Sequence, residues 1–315
     1  MAKQTITEIA ADGEATEDDV LRRQVVRELL YKQAGNLSVG TQIVDTTSFD
    51  VLDVKFEYPG EMSAEYPVAQ DTTVDRQKIT WNEFDMSLQQ GEGRYFIADS
   101  AKLRGMGDLQ QRFTQQRQGE ALARRKDENI LSALLNGSPS ANDDTASAGD
   151  EWDQPDVDMV NKLHGMWTDI LTNAPINNAN IGNFSVVLPI EIWAEINQVE
   201  LINNVQQQIR DYLGTTFGFS IYPTKLGLHD DDNVDLQDEA IMLIPGDETA
   251  IHGVLSDNAA ASAGVPLVEE ERIAGRGDEY IVSQWFNTAI VEHEGAGAGE
   301  SPRIATRKNV NSNRS

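Results

Sequence analysis

No cysteine occurs in this 315-residue chain, which excludes disulfides, thiolate metal sites and cysteine nucleophiles. Lysine is scarce too: nine lysines and 16 arginines face 52 acids, for a formal charge of −27. No run of about 18 apolar residues is present, so the sequence offers no helix able to span a bilayer. The opening residues, MAKQTITEIAADGEATEDD, lack the apolar core of a signal peptide, and the expectation is a soluble protein made in the cytoplasm. Imidazole is limited to His164, His229, His252 and His293, none of them in an HExxH, HxH or GxSxG setting.

The remaining chemical motifs are incomplete. His229-Asp230-Asp231-Asp232 has the donors for a hard cation but lacks the central glycine and terminal glutamate of a calcium loop, so it reads as a solvated acidic loop. The GAGAG run from Gly295 leads into no helix, which rules out a dinucleotide turn. Paired carboxylates are too frequent here to mark acid–base catalysis. The sequence therefore nominates no catalytic residue, no metal ligand and no cofactor site.

The acid surplus sits on a chain that is 39% hydrophobic with five tryptophans, which argues for packed structure rather than an acidic disordered protein. A hypersaline interior accounts for it. In about 1 M salt the screening length falls to about 3 Å, so dense carboxylates repel little while their hydration resists salting out. Two stretches, Asp127 to Asn161 and Leu226 to Glu271, contain no Lys or Arg and repel phosphate, which opposes any grip on DNA.

The informative feature is an order of elements. An extended arm, Phe49 to Ala98, precedes a helix from Leu109 to Leu135, capped by Asp108 and stopped by Asn136-Gly137. Its apolar stripe holds at Leu109 and Phe113, fades through Gln116, Glu120 and Asp127, and returns at Ile130 and Leu134. Such a helix is expected to be anchored at its ends. In the arm, Leu52, Val54, Phe56 and Tyr58 alternate with Asp53, Lys55 and Glu57, the two-residue period of a half-buried strand. Gln77 to Leu88 changes phase between Trp81 and Phe84, as a β-bulge would leave it, and Gly91 and Gly93 read as a turn. An isolated hairpin is marginal in water, so the arm is expected to lie on another surface, that of a second copy.

Elsewhere the patterns predict helices over Glu17–Ala34, Asp156–Leu171 and Leu201–Leu213 and a polar, exposed loop over Ser138–Asp153. Strands are expected at Phe184–Leu188, Ala240–Ile244, Thr249–Leu255 and Tyr280–Val291, with a short helix opened by Pro189. The Gly-rich segment from Gly295, with Arg303, Arg307, Lys308 and Arg314, reads as a mobile basic tail. The class is mixed α+β.

ALARRKDENILSALLNG (121–137) resembles the end of the spine helix in major capsid proteins of tailed double-stranded-DNA viruses, the Hong Kong 97-like fold. SVVLPIEIWAEI (185–196) and FGFSIYPT (217–224) are similar to that family's strand, helix and later strand. AIMLIPGDETAIHGV (240–254) resembles its next hairpin, and DEYIVSQWFNTAIV (278–291) its returning strand. The resemblance implies an N-terminal arm (1–48), an extended loop (49–104) and a peripheral domain (105–174) with spine helix 108–136. It further implies an axial domain (175–265), a return to the peripheral domain (266–294) and a flexible basic tail (295–315).

It also implies a structural role: pentamers and hexamers of copies forming an icosahedral shell around DNA, in the virion of a tailed virus of halophilic archaea, assembled in the host cytoplasm. Scaffold, portal and decoration or turret proteins are the further partners it suggests, and no membrane. Phe56, Tyr58, Trp81 and Phe84 of the loop are the candidates for the contact between subunits. An encapsulin-like compartment and a soluble halophilic enzyme are the alternatives.

Overall fold

The computed structural model describes residues 38–59, 81–100, 107–154, 157–174, 183–197, 199–202, 205–228, 232–256, 267–274, 276–293 and 297–313. The helix expected over 17–34, the loop over 60–80 and His229 to Asp231 lie outside them. In chain order the elements begin with α1 (Gly40–Ile43), β1 (Asp45–Phe49), β2 (Asp53–Pro59), β3 (Trp81–Ser87), β4 (Gln89–Ala98), α2 (Gly107–Asn136) and β5 (Asp143–Thr145). They continue with α3 (Met159–Asn173), β6 (Phe184–Pro189), α4 (Ile190–Ile196), β7 (Val199–Ile202), β8 (Val205–Gln208), α5 (Ile209–Phe217) and β9 (Phe219–Thr224). The last are β10 (Glu239–Leu243), β11 (Ala250–Leu255), β12 (Leu267–Ile273), β13 (Gly277–Ile290) and β14 (Ile304–Lys308).

Two five-stranded sheets carry the described residues. One has the order β1-β11-β13-β12 with β4 also paired to β13; the other runs β5-β14-β10-β6-β9. In the second sheet, alternate residues serve two cores. Phe184, Val186 and Leu188 of β6 with Ala240 and Met242 of β10 face α3, α4 and α5, whose Leu163, Ile192 and Leu213 are fully buried there. Val187, Ile241 and Leu243 face the other way, onto Ile130, Leu131 and Leu134 of α2. Every residue of β6 is buried because both of its faces are covered.

Helix α2 runs 30 residues, about 45 Å. It starts two residues before the expected position, so Asp108 lies inside it, and it ends at Asn136 as expected. It is not held only at its ends. Gln115, Ala123, Lys126, Asp127 and Glu128 are buried in its middle, where the Asp127 and Glu128 carboxylates find partners within the subunit. Asp127 alone accepts bonds from Ser38 Oγ (2.6 Å), Gly40 N (2.7 Å) and Val39 N (3.1 Å).

Several expectations are corrected. The helix expected over Leu201–Leu213 begins only at Ile209, after a β7–β8 hairpin, and Gly218 caps it in the left-handed region at φ 73°. β10 and β11 do not pair with each other as a hairpin: they enter different sheets, since Pro245-Gly246 carries the chain from one to the other. The loop over Ser138–Asp153 contains β5 and buries Asn142 and Trp152. The basic tail is not free either. β14 lies between β5 and β10, with Ile304 and Ala305 fully buried, and the basic side chains find acids: Arg307 pairs with Asp169 and Lys308 with Asp143. Helix α3 packs into the core of the second sheet.

Candidate functional site

The loop candidates sit on a two-stranded ribbon. β2 and β3 pair antiparallel without interruption from Asp53↔Ser87 to Pro59↔Trp81, so no bulge occurs over these residues. The irregularity falls instead at Leu88, where the chain leaves β2 and starts its pairing with β13. Gly91 and Gly93 make no turn. Both lie inside β4, opposite Gln284 and Val282, where a Cβ would collide with Phe286 and with Gln118 of α2. Glycine is there for close approach to the strand and the helix.

Alternation holds at Val54 and Phe56, whereas Leu52, expected on the same face, precedes β2 and is exposed. Asp53, Lys55, Glu57, Glu83 and Asp85 are exposed, while Val54 and Phe56 are half-buried. Lys55 Nζ lies 3.4 Å from Asp85 across the ribbon, a fully solvated pair that contributes little. The Phe56 ring packs edge-on against Phe49 of its own subunit, centroids 5.2 Å apart, and its backbone position faces Phe84. Tyr58 and Trp81 pair with Asn82 and Pro59, and the side chains of Tyr58, Trp81 and Phe84 lie outside the described residues. The structure thus brings Phe56 and Phe84 opposite each other by register.

What sequence reasoning missed is the joint at the ribbon's base. Met86 and Leu88 are buried against Gly253 of β11, where a Cβ would meet both side chains. Leu88 N donates to Leu52 O (2.8 Å), and Asn287 Nδ2 donates to Ser87 O (2.8 Å). From Asn287 a half-buried polar chain continues inward to the buried His252. Asn129 Nδ2 of α2 donates to Asn287 Oδ1 (3.0 Å), and Thr288 Oγ1 donates to Asn129 Oδ1 (2.7 Å). Because the Thr288 proton is committed, His252 Nδ1 donates to Thr288 Oγ1 (3.0 Å), leaving Nε2 as a buried lone pair without a hydrogen bond. The only hint in the sequence was a glycine, Gly253, inside an apolar strand.

Electrostatics around this joint are set by burial. Desolvation pulls His252 down to about 3, with the nearby Lys126 charge adding to the effect, so the ring is neutral. The same burial pulls Lys126 down to about 8 against a smaller opposing effect of Asp127. Asp127 is pushed up by desolvation, opposed by its bonds to Ser38, Gly40 and Val39. All three groups are buried within the subunit. Among the described residues, no group of three or more His, Asp or Glu side chains could hold a metal ion, and no helix is long and apolar enough to cross a membrane.

No family model matches the chain, and neither does any curated protein. Solved structures do match. The subunit of a virus-like particle from Pyrococcus furiosus is 12% identical with a TM-score of 0.61, covering 90% of this chain and 98% of that one. The mature capsid of bacteriophage PhiM1 is 9% identical with a TM-score of 0.59 over 86% of both chains. A structure from Mycobacterium phage Bobi, 12% identical with a TM-score of 0.55, covers 98% and 99%. At these identities the likeness is one of fold, and the fold is the α+β, Hong Kong 97-like fold.

Proposed function

We propose that this chain is a major capsid protein whose copies assemble into pentamers and hexamers of an icosahedral shell around double-stranded DNA. The observation that carries the reading is the β2–β3 ribbon. It projects from a subunit of Hong Kong 97-like fold and is secured to it at its base by Met86, Leu88 and Asn287. A two-stranded ribbon of this kind is marginal alone, so it requires a second surface. Copies of the same chain supply that surface, and Phe56, Tyr58, Trp81 and Phe84 are the residues proposed to meet it.

The role is structural rather than catalytic. The ribbon corresponds to the extended loop, α2 to the spine, and the sheet of β1, β4, β11, β12 and β13 to the peripheral domain. The β5-β14-β10-β6-β9 sheet with α3, α4 and α5 is the axial domain. The carboxylate-rich surface fits a shell working in concentrated salt, in the virion of a tailed archaeal virus assembled in the host cytoplasm. Scaffold, portal and decoration or turret proteins are further partners under this reading. Electron microscopy of the purified protein in molar salt tests it: closed particles are expected, and a monodisperse monomer at all salt concentrations would refute it.

A second reading, an encapsulin-like compartment, keeps the same fold, which this chain shares with the virus-like particle from Pyrococcus furiosus over 98% of that chain. Under it the shell encloses protein cargo. Nucleic acid content of the purified particles separates the two.

A further inference from the structure

The acids are unevenly spread. Residues 157–228 hold only six of the 52 acids and three of the 25 bases, although this stretch lies between the two base-free acidic segments. It is the stretch that builds α3, α4, α5 and strands β6 and β9 of the second sheet. The outward stripe of α3 is Asn161, His164, Thr168 and Thr172, all exposed and none a carboxylate. The charges α3 carries are already engaged within the subunit, Lys162 with Asp150 and Asp169 with Arg307.

Aromatic rings cluster at the same face. His164 lies 5.1 Å from Trp167 and 5.8 Å from Phe217 of α5, and Tyr212 lies 5.9 Å from Phe217. His164 is exposed and the other three are half-buried, so ring surface reaches solvent. Between His164 and Trp167 stands Gly165, where a Cβ would meet nothing within 4 Å. A mid-helix glycine weakens the helix, and no contact among the described residues calls for one here.

We infer that the α3–α5 face is covered by a second copy of this chain in the assembled shell, an inference that rests on the capsid reading above. A chain of charge −27 can pack against itself only where carboxylates do not oppose carboxylates. This aromatic face, on which exposed Arg210 offsets exposed Asp211, meets that requirement, and Gly165 gives the neighbouring backbone room to approach. Nucleic acid fits the face poorly. Its bases are few, Lys162 is paired, and the Arg210 guanidinium sits 6.0 Å from the Trp193 ring centroid, so no cationic track is available to phosphates.

The test is assembly of the full chain in molar salt, comparing the unsubstituted protein with Thr168→Asp/Thr215→Asp and with Ser147→Asp, which adds an acid to an already acidic loop. Particle yield is expected to fall at least tenfold in the double variant and to hold in Ser147→Asp. Equal particle numbers from the folded double variant overturn this inference and leave the capsid reading standing. No particles from the unsubstituted chain overturn both. Should the double variant misfold, hydrogen exchange of residues 161–172 in the unsubstituted protein decides. Exchange slowed tenfold or more in particles relative to free subunits supports the contact, and unchanged exchange overturns it.

Discussion

The Ser38 hydroxyl donates to Asp127 Oδ1 at 2.6 Å, joining the chain ahead of α1 to the buried middle of the long helix. Together with the backbone N–H groups of Val39 and Gly40, it surrounds that carboxylate with three donors. Hydrogen bonds to a charged, buried acceptor contribute roughly 1.5–3 kcal/mol each and do not add fully. Asp127→Ala is therefore expected to cost about 3 kcal/mol in urea unfolding. Limited proteolysis near residues 38–44 should rise in parallel, and unchanged stability would remove the latch.

Lys126 makes no hydrogen bond or ion pair among the described residues and is 5% exposed. Its folded value, about 8, is below the ordinary 10.5, so the folded state is penalised wherever the ammonium stays charged. The unfolded chain binds more protons between those two values, and stability rises with pH across that window. Lys126→Met should stabilise by roughly 2 kcal/mol at pH 7, with the gain fading towards pH 10.5. Melting temperatures at the two pH values check the sign.

Burial also disfavours the charged form of Glu239, but its pH dependence has the opposite sign. Burial, with Asp238 and Asp143 adding to it and Lys308 opposing, pushes its carboxyl up to about 7 from 4.5. Its protonated form is favoured in the fold, so this contribution to stability is fully present below pH 4.5 and is lost as pH rises to 7. Because the side chain is part-exposed, the expected gain for Glu239→Gln is about 1 kcal/mol above pH 7 after solvent screening, and near zero at pH 4.5. Equal gains at both pH values would contradict the assignment.

At the ribbon's base, Gly253 leaves room for Met86 and Leu88. Gly253→Val should cost roughly 1–3 kcal/mol through overpacking. Amide exchange at residues 84–88 should quicken more than exchange in β6, since the joint, not the second sheet, is what the new side chain displaces.

For the shell itself, Phe56→Asp with Tyr58→Asp is expected to leave a folded subunit that forms no particles. Intact shells from that variant would defeat the loop assignment. Lowering salt below about 0.1 M should dissociate particles, because unscreened carboxylates then repel over about 10 Å. Light scattering indifferent to salt in that range would defeat the hypersaline reading.

Local patterning by itself determined a good deal. The two-residue period of Val54 and Phe56, the Asn136-Gly137 stop and the apolar run of β6 each mark an element, because propensity and burial act within a few residues. The order of arm, long helix and later strands, with segments such as 121–137 and 185–196, resembles that of the Hong Kong 97-like fold. Other features were decided only by tertiary structure. The segment around Ile304 reads as a basic tail until Asp143 and Asp169 neutralise its charges and β10 takes up its backbone bonds. Gly91 and Gly93 read as a turn until the Phe286 ring and the Gln118 amide are seen to occupy the space beside them. Asp127 marks only a gap in the apolar stripe until Ser38, Val39 and Gly40 arrive from a distant part of the chain to surround it. Long-range contacts decide these cases because burial of a polar group depends on whether a partner 80 or more residues away arrives to satisfy it.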